Sequence, residues 1–145
     1  TPAQVPQAAA PAAAASTPRP IFVLNSLDAD VSIIDPQTWR VVRRVPTGKE
    51  PHHLYLTPDE KSVIVANAAG NTLTFFDPVS GEVQRTLRNI ADPYHLRFSP
   101  DMKWFVVAAN RLNHVDVYRC DYPALAATMS TAIAEIEAPQ SESAK

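Results

Sequence analysis

The fold is decided by residues 21–61, IFVLNSLDADVSIIDPQTWRVVRRVPTGKEPHHLYLTPDEK, which recur as residues 63–103, VIVANAAGNTLTFFDPVSGEVQRTLRNIADPYHLRFSPDMK. Shifted by 42 residues, the two stretches overlay without a gap, and 12 of the 41 aligned pairs are identical. A third copy begins at Phe105 and fades after about Leu125. A fixed period of this size indicates a repeat protein, in which neighbouring units cover one another's apolar faces.

Each repeat contains four strand-length apolar runs separated by turn signals. In the second repeat these runs are HLYL, SVIVAN, TLTFFD and EVQRTL, which are rich in β-branched and aromatic residues. From Ile21 onward the repeats contain no helical period, so the pattern predicts an all-β fold. Four antiparallel strands in 42 residues make one blade of a β-propeller, with an inner, a second, a third and an outer strand.

The repeat resembles that of the YVTN-family β-propellers, which are related to the cytochrome d1-like and lactonase-like propellers. IFVLN and VIVAN stand for the family's YVxN strand, VSIID and TLTFFD for its TVSVID strand, and VPTGKEP for the turn before an SPDG turn. Glu60 and Met102 replace the glycine of that SPDG turn. The resemblance implies a propeller of usually seven blades, commonly exported, but it transfers no function because propellers serve many functions.

Seven blades of this length need roughly 290 residues, whereas the chain has 145. We therefore expect an N-terminal fragment of about two and a half blades, which needs the remaining blades or another copy to close the ring. The predicted divisions are a disordered Pro/Ala-rich leader at 1–20, a partial propeller at 21–125 with blades at 21–50, 51–92 and 93–125, and an irregular or short helical tail at 126–145.

Composition excludes several classes of function. The net charge of −2 provides no basic field, so no nucleic-acid partner is expected. Cys120 is the single cysteine, which rules out an internal disulfide and leaves an intermolecular bond or a free thiol, of which a packed free thiol is favoured. No apolar run is long enough for a transmembrane segment. The leader is interpreted as a mature N-terminus after removal of a signal peptide, or as a plain boundary of the sequence; the first interpretation predicts a periplasmic or extracellular protein.

The repeated acidic and asparagine residues are interpreted as structural. An Asp side chain accepts backbone N–H groups in a turn, and the proline beside it fixes φ. The predicted turn residues are Asp35, Pro36, Asp59, Asp77, Pro78 and Asp101. Asn25 and Asn67 end equivalent strands and are expected to bond loop backbone. Arg43 and Arg85, on equivalent outer strands, are expected to lie on a solvated edge.

The histidines form the candidate binding site. Pro51-His52-His53 and Pro93-Tyr94-His95 begin the innermost strands, which line the central channel of a propeller, so these side chains should gather at one channel mouth. Neutral imidazoles there could bind a metal, accept a haem iron or move protons. His53 and His95 could instead be structural residues that bond the neighbouring blade. His52 is the best metal candidate, since d1-type propellers have an iron-ligating histidine in a comparable region.

Two functional hypotheses follow. The first is a non-enzymatic binding or scaffold module that takes a protein, peptide or small-molecule ligand at the channel mouth, with no cofactor. The second is a haem- or metal-associated redox protein, or a lactonase-like enzyme, that uses the same histidines. The absence of nucleophile-elbow, phosphate-loop, HExxH and CxxCH motifs favours the first hypothesis. A truncated protein without activity is a third alternative.

Overall fold

A computed structural model describes residues 18–119 and 134–135, and it is all-β over that range, without an α-helix. Eleven strands are present in these residues. They are β1 (Ile21–Asn25), β2 (Asp30–Ile34), β3 (Val41–Pro46), β4 (Pro51–Leu56), β5 (Val63–Asn67), β6 (Thr72–Phe76), β7 (Val83–Arg88), β8 (Pro93–Phe98), β9 (Trp104–Ala109), β10 (His114–Arg119) and β11 (Ala134–Glu135).

The strands form three antiparallel sheets in chain order. The first sheet is β1-β2-β3, the second is β4-β5-β6-β7, and the third is β8-β9-β10-β11. The second sheet is a complete blade, in which β4 is the inner strand and β7 the outer strand. This order confirms the predicted propeller blades, arranged as part of an open ring.

The middle blade is covered on both faces, and this is where the core lies. Every residue of β5 and β6 is buried, and successive side chains point to opposite faces. Ile64 and Phe75 pack in a cluster with Phe105 and Val107 of the third sheet. On the other face, Val63, Val65 and Phe76 pack with Val31 and Ile33 of the first sheet. Each interface between blades is therefore a separate apolar core.

The two outer blades each present a face that no described residue covers. Val23 of the first blade is 42% exposed, whereas its repeat equivalent Val65 is fully buried. Val115 of the third blade is 56% exposed, whereas its equivalent Leu73 is fully buried. The repeat places apolar residues on both faces of every blade, so the outer faces are suited to further blades.

The 42-residue repeat is also found in the backbone dihedral angles. Positive φ angles occur at equivalent positions, 42 residues apart, in successive blades. These residues are Ala29, Asn71 and Asn113; Trp39 and Gly81; Glu50 and Asp92; and Glu60 and Met102. Glu60 and Met102 have φ of 56° and 57°, so the turns keep the left-handed conformation even where the family's glycine is absent.

Several predictions fall on residues outside the described range. These are the predictions of a disordered leader, for residues 1–17, of a packed Cys120 thiol, and of an irregular or helical tail, for most of its residues. Ala134–Glu135 pairs antiparallel with Tyr118 and Arg119 of β10, so these two tail residues are extended rather than helical. In residues 18–119 and 134–135, no helix has the length and apolar character needed to cross a membrane.

Candidate functional site

The candidate site lies where the inner strands β4 and β8 begin. Both strands have an irregularity in their pairing at that point, between Pro51 and His53 and between Pro93 and His95. In a regular strand, adjacent side chains point to opposite faces, and a bulge relaxes that rule locally. The same distortion, repeated in two neighbouring blades, therefore determines where the candidate side chains lie.

His52, His53, Tyr94 and His95 come together as one group, which we call the histidine cluster. The ring centroids of His52 and His53 are 5.0 Å apart, and those of His53 and His95 are 4.7 Å apart; both pairs are stacked. The Tyr94 ring lies against His52 at 4.3 Å and against His53 at 4.8 Å. The structure thus brings together all four predicted residues, from two blades.

Among the described residues, no carboxylate pairs with an imidazole of the cluster. The Nδ1 atoms of His52 and His53 are 3.1 Å apart, and Nδ1 of His95 is 3.3 Å from a guanidinium nitrogen of Arg97. Burial lowers the pKa of His53, and the positive charge that His95 and His52 would carry when protonated lowers it further. His53 is therefore neutral at pH 7 and available as a hydrogen-bonding or metal-binding group.

Arg97 is a site residue that the sequence interpretation missed. Its guanidinium lies 5.0 Å from the centre of the Tyr55 ring, within the range of a cation–π contact, and it also contacts His95. Arg97 follows His95 by two positions in β8, so strand periodicity places the two side chains on the same face. The two-residue spacing between His95 and Arg97 is the feature of the sequence that could have identified Arg97 as a site residue.

Arg85 lies on the outer strand β7, as expected, but its side chain is half-buried rather than fully solvated. Its guanidinium lies 3.9 Å from the centre of the Phe75 ring, and burial lowers its pKa to about 10, so it remains charged at pH 7. The equivalent Arg43 bonds Glu82 and the Ser80 carbonyl. Both side chains serve contacts within the fold.

The predicted turn residues lie at the strand connections. The Asp77 carboxylate accepts the N–H groups of Val79 and Ser80 at 2.8 Å each, next to Pro78. Asp35, before Pro36, accepts the N–H of Gln37 in the same way. Asp59 and Asp101 accept the N–H two residues further on. These backbone hydrogen bonds lower the pKa of Asp35 and Asp77 below the usual range, and the Ser99 hydroxyl together with the Lys103 N–H lowers the pKa of Asp101.

The asparagines are structural, but their partners differ from those expected. The amide of Asn67 donates to the hydroxyls of Thr72 and Thr74 at 3.0 and 2.9 Å. The amide of Asn25 donates to Asp30 and Ser32. Each asparagine therefore bonds side chains of the next strand rather than loop backbone.

Other polar groups do not add to the cluster. His114 is exposed and pairs with Asp116 at 3.3 Å. A cavity of about 440 Å³ lies at the opposite end of the sheets, against the β2–β3 turn, with Ile34, Arg43 and Ser80 among its lining residues. Within the described part of the chain, no group of three or more His, Cys, Asp or Glu side chains is arranged around a metal position.

Similar solved structures support the fold. Kuenenia stuttgartiensis hydrazine synthase is 24% identical with a TM-score of 0.57, over 69% of this chain and 29% of that chain. The dihydro-heme d1 dehydrogenase NirN, solved in complex with DHE, is 22% identical with a TM-score of 0.58, over 75% of this chain and 23% of that chain. A 6-phosphogluconolactonase-like protein from Bacteroides uniformis is 16% identical with a TM-score of 0.54, over 70% of this chain and 33% of that chain.

These likenesses concern the fold alone, because the identities are low, and the chain spans between 23% and 33% of the three structures. No curated protein matches the chain. A family model described as YNCE-like beta-propeller matches residues 1–139. Together with the three stacked blades and their 42-residue repeat, that match shows that the chain belongs to the YNCE-like β-propeller family.

Proposed function

We propose that the propeller containing this chain is a non-enzymatic binding module that takes its ligand at the histidine cluster. One observation carries the proposal: the rings of His52, His53, Tyr94 and His95 are in contact across two blades. His52 is exposed and the other three rings are half-buried, so a ligand can reach them. The stacked rings present their edges and the exposed His52 ring to a ligand, an aromatic surface that a single structural histidine would not provide.

The chemistry of the cluster favours a planar ligand that carries a carboxylate. The rings provide the stacking surface, and the Arg97 guanidinium at the end of the row supplies fixed positive charge and a fork of donors. The rings and the guanidinium together would suit a small aromatic acid or an aromatic group at the end of a peptide.

The absence of catalytic pairing around the cluster supports a binding role over an enzymatic one. The cluster imidazoles contact other imidazoles, Arg97 and the Tyr94 backbone. No hydrogen bond in residues 18–119 links a cluster histidine to a Ser, Thr or Cys side chain. Nucleophilic catalysis would require such a pair.

Calorimetric titration of the 145-residue chain with naphthalene-2,6-dicarboxylate tests this proposal. We expect His53→Ala and Arg97→Gln each to weaken binding by at least about fivefold, and His114→Thr, a control that copies the equivalent Thr72, to leave it unchanged. Absence of heat up to about 1 mM dicarboxylate, or equal affinity in His53→Ala, would overturn the proposal. Turnover of a lactone by the chain, lost in His52→Ala, would favour the lactonase-like enzyme instead.

The second candidate is a haem- or metal-associated redox protein, and the structural likeness to NirN, solved with DHE, is the observation that favours it. The residues fit such a group in kind, because the exposed His52 imidazole suits an iron and Arg97 suits a haem carboxylate. An iron there would supply electron transfer. Titration with ferric haem should then shift the Soret band in the native chain and not in His52→Ala; an identical shift in both would exclude this candidate.

We also propose that the parent protein is exported, since the YVTN resemblance implies this location. Cell fractionation of the parent protein, with periplasmic and cytoplasmic marker enzymes as controls, tests the location. Recovery with the cytoplasmic marker would contradict it.

A further inference from the structure

His52 and His53 are adjacent in sequence, yet their imidazoles face one another. Their Nδ1 atoms are 3.1 Å apart, at the β4 irregularity that separates Pro51 from His53 in the pairing with β5. The equivalent position in the next blade also has the irregularity, but there the residue is Tyr94. The close pair of imidazole nitrogens is thus a property of the middle blade and not of the repeat.

The separation of these nitrogens matches that of two ligands on one metal ion. Imidazole nitrogens bind at about 2.0–2.1 Å, so two of them 3.1 Å apart subtend an angle of about 98° at a shared ion. This angle lies between the square-planar and tetrahedral values. The two ring planes are only 19° apart, so chelation requires the exposed His52 ring to rotate until its lone pair meets that of His53 at the shared ion.

The surroundings of His53 resemble those of a ligating histidine. The Tyr94 backbone beside the ring favours the protonated form of His53, and a carbonyl that takes one ring N–H would leave the other nitrogen as a ligand. His95 is excluded as a third ligand through Nδ1, because that nitrogen faces the Arg97 guanidinium. His52 and His53 are therefore a two-ligand set, in agreement with the absence of a three-ligand group in residues 18–119.

We propose that His52 and His53 chelate one divalent transition-metal ion through their Nδ1 atoms, with Cu²⁺ bound more tightly than Zn²⁺. The preference follows from the nitrogen ligands and from the general order of divalent affinities. The remaining coordination positions are open to water or to a carboxylate of a bound ligand. This inference deepens the proposed function, because it assigns an ion to the same cluster.

Titration of the metal-free 145-residue chain with CuCl₂ and with ZnCl₂, followed by calorimetry and by electron paramagnetic resonance of the Cu²⁺ form, tests the chelate. We expect one Cu²⁺ per chain and a spectrum with nitrogen couplings from two imidazoles. His52→Tyr, which copies the equivalent Tyr94, should weaken Cu²⁺ binding by at least about tenfold. His114→Thr should bind Cu²⁺ as the native chain does, and His95→Gln should weaken Cu²⁺ binding less than His52→Tyr does.

Three results would overturn the chelate: no Cu²⁺ binding at about 100 μM, equal binding in His52→Tyr, or a loss in His95→Gln as large as that in His52→Tyr. Far-ultraviolet circular dichroism of each variant, and His52→Ala as a second substitution, separate loss of the site from loss of the fold. When the dicarboxylate titration is run on the same metal-free protein, the chelate and the organic binding site succeed or fail independently.

Discussion

Single residues in the turns show where the sequence departs from its own repeat. Trp39 and Gly81 occupy equivalent positions in the β2–β3 and β6–β7 hairpins, with φ of 58° and 70°. In both turns the N–H of this residue donates to the carbonyl of the preceding Asp, at 2.8 Å for Trp39 and 2.9 Å for Gly81. Only glycine adopts this conformation without a steric cost, so the first blade keeps the turn with a strained tryptophan.

Replacing that tryptophan should stabilise the protein. Trp39 is 75% exposed, so Trp39→Gly loses little packing and relieves the left-handed strain. After the entropy cost of glycine, we expect the free energy of unfolding to rise by about 0.5–1 kcal/mol, measured by urea denaturation. Trp39→Ala keeps the Cβ atom and is the matched control. Equal stability of the two variants would show that no strain is stored at this turn.

The cluster should make stability depend on pH near neutrality. The folded-state pKa of His53 lies below the 6.5 of an ordinary histidine, so the unfolded chain binds a proton more readily. Stability is therefore fully present above about pH 6.5 and falls as the pH drops toward the lowered pKa. The charged and titratable side chains around His53 are His52, His95, Arg97 and Tyr94, and the aspartates whose pKa is lowered titrate below this window.

Urea denaturation at about pH 5.5 and 7.5 measures this dependence. We expect the native chain to be less stable at the lower pH and His53→Gln to show a smaller difference between the two conditions. His114→Thr should keep the native difference. A difference that His53→Gln leaves unchanged would assign the effect to another group.

At the scale of elements, the loop between β3 and β4 packs the first blade against the second. A Cβ atom at Gly48 would lie 2.4 Å from the Thr72 hydroxyl oxygen and 2.8 Å from Cβ of Asn67. Gly48 therefore lets the backbone approach the buried Asn67–Thr72 hydrogen bond. This loop is the VPTGKEP motif by which the sequence resembles its family, and its glycine has a packing role.

Gly48→Ala should consequently destabilise the contact between the first two blades. We expect a loss of about 2–3 kcal/mol in the free energy of unfolding, because the added methyl group overpacks a buried site. Lys49→Ala, at the exposed neighbouring position, should change stability by less than about 0.5 kcal/mol. Thermal denaturation of the two variants side by side compares their midpoints. Midpoints that coincide would contradict this packing role for Gly48.

The elements also show how far the sequence could predict the structure. The strands and blade order were predictable, because the 42-residue repeat, the alternating apolar residues and the Asp-Pro turns all agree. The gathering of His52 and Tyr94 could be anticipated from inner-strand position alone. The bulges at Pro51 and Pro93, which bring adjacent imidazoles face to face, could not, because strand periodicity assumes regular pairing. The contact of Arg85 with the Phe75 ring could not be predicted, because outer-strand position does not show which ring lies beneath a side chain.

At the scale of the whole molecule, the two open blade faces govern association. Val115 on the third blade is 56% exposed, and the equivalent faces between described blades are apolar cores. The 145-residue chain should therefore self-associate as its concentration rises, measured by analytical ultracentrifugation. Val115→Lys should weaken association by at least about tenfold, whereas Val79→Lys, at a similarly exposed turn residue, should not. Association lost equally in both variants would indicate general charge repulsion.

The central claim is that two neighbouring blades bring His52, His53, Tyr94 and His95 together as a binding surface, and nuclear magnetic resonance of the labelled side chains tests it most directly. We predict nuclear Overhauser effects between the rings of His53 and His95 and between those of His52 and Tyr94. Addition of naphthalene-2,6-dicarboxylate should then shift these ring signals and leave those of His114 in place. Rings without mutual Overhauser effects, or a ligand that shifts His114 as much as the cluster, would contradict the claim.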